Sequence, residues 1–314
     1  MLKNKILRKI YITTVTMFIL LSVFSISVIE NKFLYPVSLE LEQVTGISTN
    51  SIYLFNKSGY LVKMNILLDE EKVEDKVRKI LNTLIVNENS KFSSELVGTI
   101  PSNVKINNII CGSDLVTIDF SKEFLDISVS YERQTLSSIV YSVLDIDEIS
   151  GISILIDGKL LECYPNTKEK LPSVLDKSIG LNVNYDLSSF DDTLSVVVYY
   201  LTNIDDNLYY VPVTKVINDD RDKIKIIIEE LTTSYIYEEN LMSFLNSKTR
   251  LIDYREENNI LFLNFNEFLY DYDDKVLEEV IYSISYSVFD NYDVNMVMFL
   301  VNGNDIMHIS RNEI

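Results

Sequence analysis

With 314 residues, 47% of them hydrophobic and only 5 Pro and 8 Gly, the chain is too apolar for disorder and long enough for two cores of ordinary domain size. Its 28 basic and 47 acidic residues leave a net charge of −19, which repels nucleic acid, anionic lipid and anionic wall polymers and favours solubility and basic partners.

Residues 10–29 form an uncharged, mostly apolar run, long enough as a helix to cross roughly 30 Å of hydrocarbon. Lys3, Lys5, Arg8 and Lys9 precede it and Glu30 follows, so the N-terminus is expected in the cytoplasm and everything after the run outside it. A cleaved signal peptide is the rival reading, with Ser25-Ile26-Ser27 as its site, but the run exceeds the usual apolar core of about 7 to 15 residues. The expected order is a cytoplasmic tail and transmembrane anchor (1–30) and then a spacer (31–50).

Residues 51–56 and 60–66 read as a hairpin turning at Lys57-Ser58-Gly59. A helix follows, marked by Val73, Val77, Ile80, Leu81, Leu84 and Ile85, and we expect Asp69, Glu70 and Glu71 to occupy its first turn. Residues 104–111 and 114–125 are the next strands, joined through Gly112-Ser113-Asp114. Leu136, Ile139, Val140, Val143 and Leu144 then mark a second helix, and 151–157 closes the unit as a strand. From 158 to 194 neither period is sustained, and Pro165, Pro172 and Gly180 punctuate a stretch that reads as a linker (159–193) between repeats at 51–158 and 194–305.

The order then recurs. Residues 194–201 and 209–216 are a hairpin, Ile224, Ile227, Ile228 and Leu231 a helix, and 251–254 and 260–265 a second strand pair. Leu277, Val280, Ile281, Ile284 and Val288 mark the last helix, 294–301 the last strand, and 306–314 a tail. The duplication shows most clearly where DLVTIDFSKEFL (114–125) returns as NILFLNFNEFL (259–269), with Val116, Ile118 and Phe120 answered by Leu261, Leu263 and Phe265. Likewise Ile139-Val140-Tyr141-Ser142 is paired with Val280-Ile281-Tyr282-Ser283 and Asp157-Gly158 with Asn302-Gly303. The fold class is α+β: an N-terminal transmembrane helix, then two tandem α/β sandwich repeats, each strand-strand-helix-strand-strand-helix-strand.

Each copy resembles the GerMN domain of sporulation and germination proteins. Ile52-Tyr53, Val116-Thr117-Ile118-Asp119-Phe120-Ser121, Glu123-Phe124 and Asp157-Gly158 carry the pattern in the first copy; Val198-Tyr199, the strand ending at Lys215, and Gly303 carry it in the second. Asn264 and Asn266 stand where the first copy has Asp119 and Ser121, and no cysteine follows the apolar run to take a lipid. The tandem arrangement is similar to the GerM type of spore-forming Firmicutes. The resemblance implies a membrane-anchored extracytoplasmic scaffold in the channel complex between mother cell and forespore. Its implied partners are channel components and a forespore membrane protein reaching across the intermembrane space.

Chemistry is sparse. We expect no catalytic residue, cofactor or metal site: His308 is the sole histidine, and no nucleophile elbow, P-loop or dinucleotide fingerprint occurs. It should lie in the tail, beyond the last strand. Asp119 and Glu123 are the one carboxylate pair that could serve an alternative role in binding or hydrolysing cell-wall glycan, although Asp119 alternating with Ile118 and Phe120 reads first as a solvent-facing residue or a turn cap. Asp271-Tyr272-Asp273-Asp274 lacks the glycine and distal glutamate of a calcium loop and reads as a helix start. Cys111 falls where a buried strand residue is expected, so a bridge to Cys163 is not the expectation. In the adjacent pairs Tyr199-Tyr200 and Tyr209-Tyr210, one ring of each should face away from the core and suit a contact surface.

Overall fold

The computed structural model describes residues 48–87, 95–233, 241–271 and 275–313, so the 10–29 segment lies outside the described residues. No helix among those described is long and apolar enough to cross a membrane.

The first repeat begins with the antiparallel hairpin β1 (Ser48–Phe55) and β2 (Leu61–Leu68), followed by helix α1 (Val73–Leu84). Val77, Ile80, Leu81 and Leu84 form the buried stripe of α1. The acids of its first turn are Glu74 and Asp75. Asp69 and Glu70, expected there, precede the helix and instead hold the Lys79 ammonium at 2.6 and 3.0 Å.

A four-stranded sheet comes next, in the order β3 (Ile106–Cys111), β4 (Leu115–Phe120), β5 (Gly151–Ile156) and β6 (Lys159–Leu160), with a 3-10 turn (Lys122–Asp126) and helix α2 (Glu132–Val143) between β4 and β5. The central pair β4 and β5 is parallel, as a helical crossover requires, and the outer pairs are antiparallel.

The second repeat has β8 (Leu194–Ile204), β9 (Asn207–Ile217), α3 (Lys223–Thr232), β10 (Leu251–Glu257), β11 (Ile260–Phe265), α4 (Glu278–Asn291), β12 (Met296–Val301) and β13 (Asn304–Ser310). Its register copies the first. Leu115 pairs with Gly151 and Ile260 with Met296, and the β3–β4 and β10–β11 ladders are irregular at the corresponding places, Ile106/Asn108 and Leu251/Asp253. Phe120 and Phe265 are both fully buried. Phe120 stacks on Phe124 with centroids 4.7 Å apart, whereas Phe265 stacks on Phe299 at 6.3 Å.

Each unit carries a further strand that the periodicity leaves out. β6 and β13 fold back through Asp157-Gly158 and Asn302-Gly303, where both residues of each turn have positive φ, the conformation of a two-residue hairpin matched to strand twist. His308 therefore sits on β13 opposite Met298, exposed but not in a tail. α4 starts at Glu278, so the Asp271 run is not its start: Asp271 accepts the Lys275 amide at 3.1 Å, and residues 272–274 lie outside the described residues. Cys111 is exposed rather than buried because β3 is an edge strand and the residue ends it; neither thiol is bridged.

The pairing expected between the second helices is wrong by one helical turn. Ser142 accepts the Tyr53 amide at 3.1 Å, and its counterpart on the Tyr199 amide, at 2.9 Å, is Ser287 rather than Ser283. Tyr141 thus corresponds to Tyr286, at the same interval that relates β4 to β11. A Tyr-Ser dipeptide occurs twice in α4, four residues apart, and four residues is nearly one turn, so the apolar stripe fits either choice.

The interval 159–193 is an ordered part of the fold. Leu161, Tyr164, Leu175 and Leu181 are buried, Leu175 bridges to Ile152, and β7 (Asn184–Asp186) joins β9 as a parallel third strand. Glu132, buried at the start of α2, takes the Asn166 and Thr167 amides at 2.6 and 3.0 Å. Burial alone would raise its pKa, but the hydrogen bonds from Thr167 and Asn166 outweigh that and hold the carboxyl below its ordinary value.

Candidate functional site

The repeated motif is fixed by side-chain oxygens. Asp119 Oδ1 accepts the Gly158 N–H at 3.0 Å, tying β4 to the β5–β6 turn, and Asn264 Oδ1 accepts the Gly303 N–H at 2.9 Å in the second copy. Ser121 Oγ accepts the Lys105 amide at 3.0 Å, and Asn266 Oδ1 accepts the Arg250 amide at the same distance. An amide oxygen replaces a carboxylate or hydroxyl oxygen without loss, because the geometry asks only for an acceptor.

This placement bears on the carboxylate pair. Asp119 caps a turn, and a hydrogen bond from Ser121 holds the Glu123 carboxyl below the usual range. A glycosidic general acid needs the opposite shift. Among the described residues no cluster of three or more His, Cys, Asp or Glu could hold a metal ion.

The most elaborate site is the joint between repeats, where β2 packs on β9. Asn182, in the left-handed region at φ 47°, donates to the carbonyls of Leu61 (2.8 Å) and Pro212 (2.7 Å) and accepts the Leu61 amide at 2.8 Å. One side chain thereby joins both hairpins. Leu181 beside it accepts the Thr214 amide at 2.8 Å and gives its own amide to the Thr214 hydroxyl at 2.9 Å.

Related tyrosines meet across this joint. The buried Tyr53 and Tyr199 act electrostatically on each other, and Tyr199 donates to Asp290 at 2.7 Å. Tyr199 stacks on Tyr286 at 5.1 Å, and the Lys63 ammonium of β2 lies 3.5 Å from the Tyr286 ring centroid. Burial pulls the Lys63 pKa down to about 8, against the attraction of Asp145 and Asp290; Lys177 adds to the downward pull. Burial also raises Tyr53 and Tyr199 well above their ordinary value.

Neither ring of Tyr199-Tyr200 faces solvent, contrary to the expectation for adjacent strand residues. β8 is covered on both faces: Tyr199 meets α4, while Tyr200 donates to Glu230 of α3 at 2.9 Å. Glu230 also holds the buried Lys215 at 2.6 Å. Tyr209 and Tyr210 are half-buried, and Tyr210 packs edge-on against Tyr286 at 5.0 Å.

Sequence reading missed Lys63, Asn182, Asp145 and Asp290. A lysine inside an otherwise uncharged strand and the Gly-x-Asn step at 180–182 were the available signals; the aspartates carried none, since both look like exposed helix-end acids.

Comparison with known proteins agrees with the tandem architecture. A family model described as Germane, sporulation and spore germination, matches residues 51–162 and 197–306. The spore germination protein GerM of Bacillus subtilis (strain 168) is 24% identical over 271 residues, 83% of this chain and 74% of that protein. The solved tandem GerMN domains of the sporulation protein GerM from Bacillus subtilis share the fold, with a TM-score of 0.76 at 23% identity over 84% of this chain and 97% of that one.

Proposed function

The chain belongs to the Germane family of sporulation and spore germination, and from that membership we propose a non-enzymatic, membrane-anchored scaffold that works outside the cytoplasm. The assembly is the channel complex between mother cell and forespore, the partners are its protein components, and 10–29 is the anchor. One observation carries the reading: in both copies the motif oxygens are spent on turns and strand ends, while Asn182 joins the hairpins of the two repeats. What remains for function is surface. Ile110 on edge strand β3 and Ile252 on edge strand β10 are both more than half exposed, and unpaired edges of this kind accept protein partners.

The test is recovery of partners by the tagged full chain from membranes of sporulating cells. Ile110→Lys and Ile252→Lys should lose those partners while keeping the thermal transition of the parent. Full recovery by both variants would overturn the edge-binding mechanism. For the glycan alternative, turnover of purified peptidoglycan that disappears in Asp119→Asn would replace the scaffold with a hydrolase.

A further inference from the structure

A cleft of about 230 Å³ opens where the first repeat, the interval and the second repeat meet. Its rim holds Ser58 from the β1–β2 turn, Gln134 from α2 and Asn184 from β7. These three side chains have no hydrogen-bond partner among the described residues. Val213 and Leu241, both buried, supply an apolar wall. At the floor Lys215 is closed off by Glu230, which also takes the Tyr200 hydroxyl.

The chemistry narrows the ligand. A cation would meet Lys215 and an anion would meet Glu230, so the paired floor favours a neutral molecule. The volume suits a single ring, since pockets for drug-sized molecules run roughly 300–1,000 Å³. Two primary amides, each offering both donor and acceptor, share the lining with aliphatic carbon, which suits a ligand with a polar edge and an apolar face. A pyranose has that division: hydroxyls and an acetamido group around the ring, C–H bonds on its face. We propose that this cleft binds a neutral, N-acetylated hexopyranose unit of a glycan. Three parts of the chain line it, and the joint holds them together, so the site exists only in the tandem form.

The test is calorimetric titration of the purified full chain in detergent micelles with the β-1,4-linked tetramer of N-acetylglucosamine, alongside saturation-transfer NMR. Saturable binding is expected, weakened about tenfold or more in the Gln134→Ala/Asn184→Ala double variant. Neither side chain makes a described hydrogen bond, so the variant should melt with the parent; Tyr60 also lines the cleft, and Tyr60→Phe serves as a second variant that leaves the backbone untouched. Absence of saturable binding, or equal affinity in the double variant, would overturn the proposal. Tighter binding of an uncharged peptide, acetyl-Gly-Ser-Tyr-Gly-amide, than of the sugar would overturn the ligand class. Partner recovery from sporulating membranes should be unchanged in the double variant, which separates failure here from failure of the scaffold reading.

Discussion

The first repeat holds its closing turn with Asp119 and its strand end with Ser121, and the second does both with asparagine. Two substitutions that look like loss of a motif preserve the hydrogen bonds that Asp119 and Ser121 accept from the backbone. The repeats differ instead in what is packed beside them: Phe120 has Phe124 stacked on it at 4.7 Å, while Phe265 relies on Phe299 from a neighbouring strand. Motif letters therefore report the local fold, and the divergence between copies is concentrated in the layer behind it.

The largest expected effect tests whether the two phenylalanines are equivalent. Phe120→Ala and Phe265→Ala each remove a fully buried ring and should destabilise by about 3 to 5 kcal/mol in denaturant unfolding. With a closer ring to lose, Phe120 should suffer at least as much as Phe265. A loss below about 1 kcal/mol at either site would break the equivalence.

Next comes the joint, which belongs to neither repeat. Asn182→Ala strips three hydrogen bonds at once and leaves the Leu61 and Pro212 groups unpaired in a packed interface, a loss of roughly 2 to 4 kcal/mol. Native-state hydrogen exchange should show protection falling together in β2 and β9. If only one hairpin loosens, the two are not coupled through this residue.

Lys63 sharpens the contrast through pH. Its folded pKa, about 8, lies below the ordinary 10.5, so the unfolded chain binds more protons between those values and stability should rise with pH there. Below pH 8 the lysine is protonated in both states and contributes no slope. Tyr53 and Tyr199 act oppositely: their raised pKa values make stability fall once unfolded tyrosine ionises near pH 10, so a maximum is expected between about 9 and 10. Lys63→Met should remove roughly 2 kcal/mol of the rise after allowing for partial exposure, and leave the fall and the part of the rise that comes from Lys223, whose pKa burial also lowers. Chemical denaturation at stepped pH checks this, and a rise undiminished in Lys63→Met would assign it to another group.

Much of this architecture was legible because alternation and helical spacing are set by burial on one face. Val116, Ile118 and Phe120 declare their face whatever the partner. The failures have a common cause. β6, β7 and β13 are short or half-polar edge strands, held by hydrogen bonds from turns and neighbouring strands that leave no apolar period. The joint was invisible because its residues come from distant parts of the chain: Asn182 and Leu61 are 121 positions apart. The Tyr199-Tyr200 expectation failed because alternation identifies two faces but not whether both are covered.

The smallest effect carries the sharpest statement about the motif. If Asp119 supplies only an acceptor to Gly158, then Asp119→Asn should change stability by less than about 0.5 kcal/mol, whereas Asp119→Ala, which removes the acceptor, should lose about 1 kcal/mol. The reciprocal exchange is less forgiving. Asn264 also donates through Nδ2 to Asp253 at 2.8 Å, so Asn264→Asp would set two carboxylates against each other and should lose about 1 kcal/mol more than Asp119→Asn. Equal tolerance of both exchanges at neutral pH would mean that the Asp253 contact adds nothing and that the two copies are interchangeable at this position.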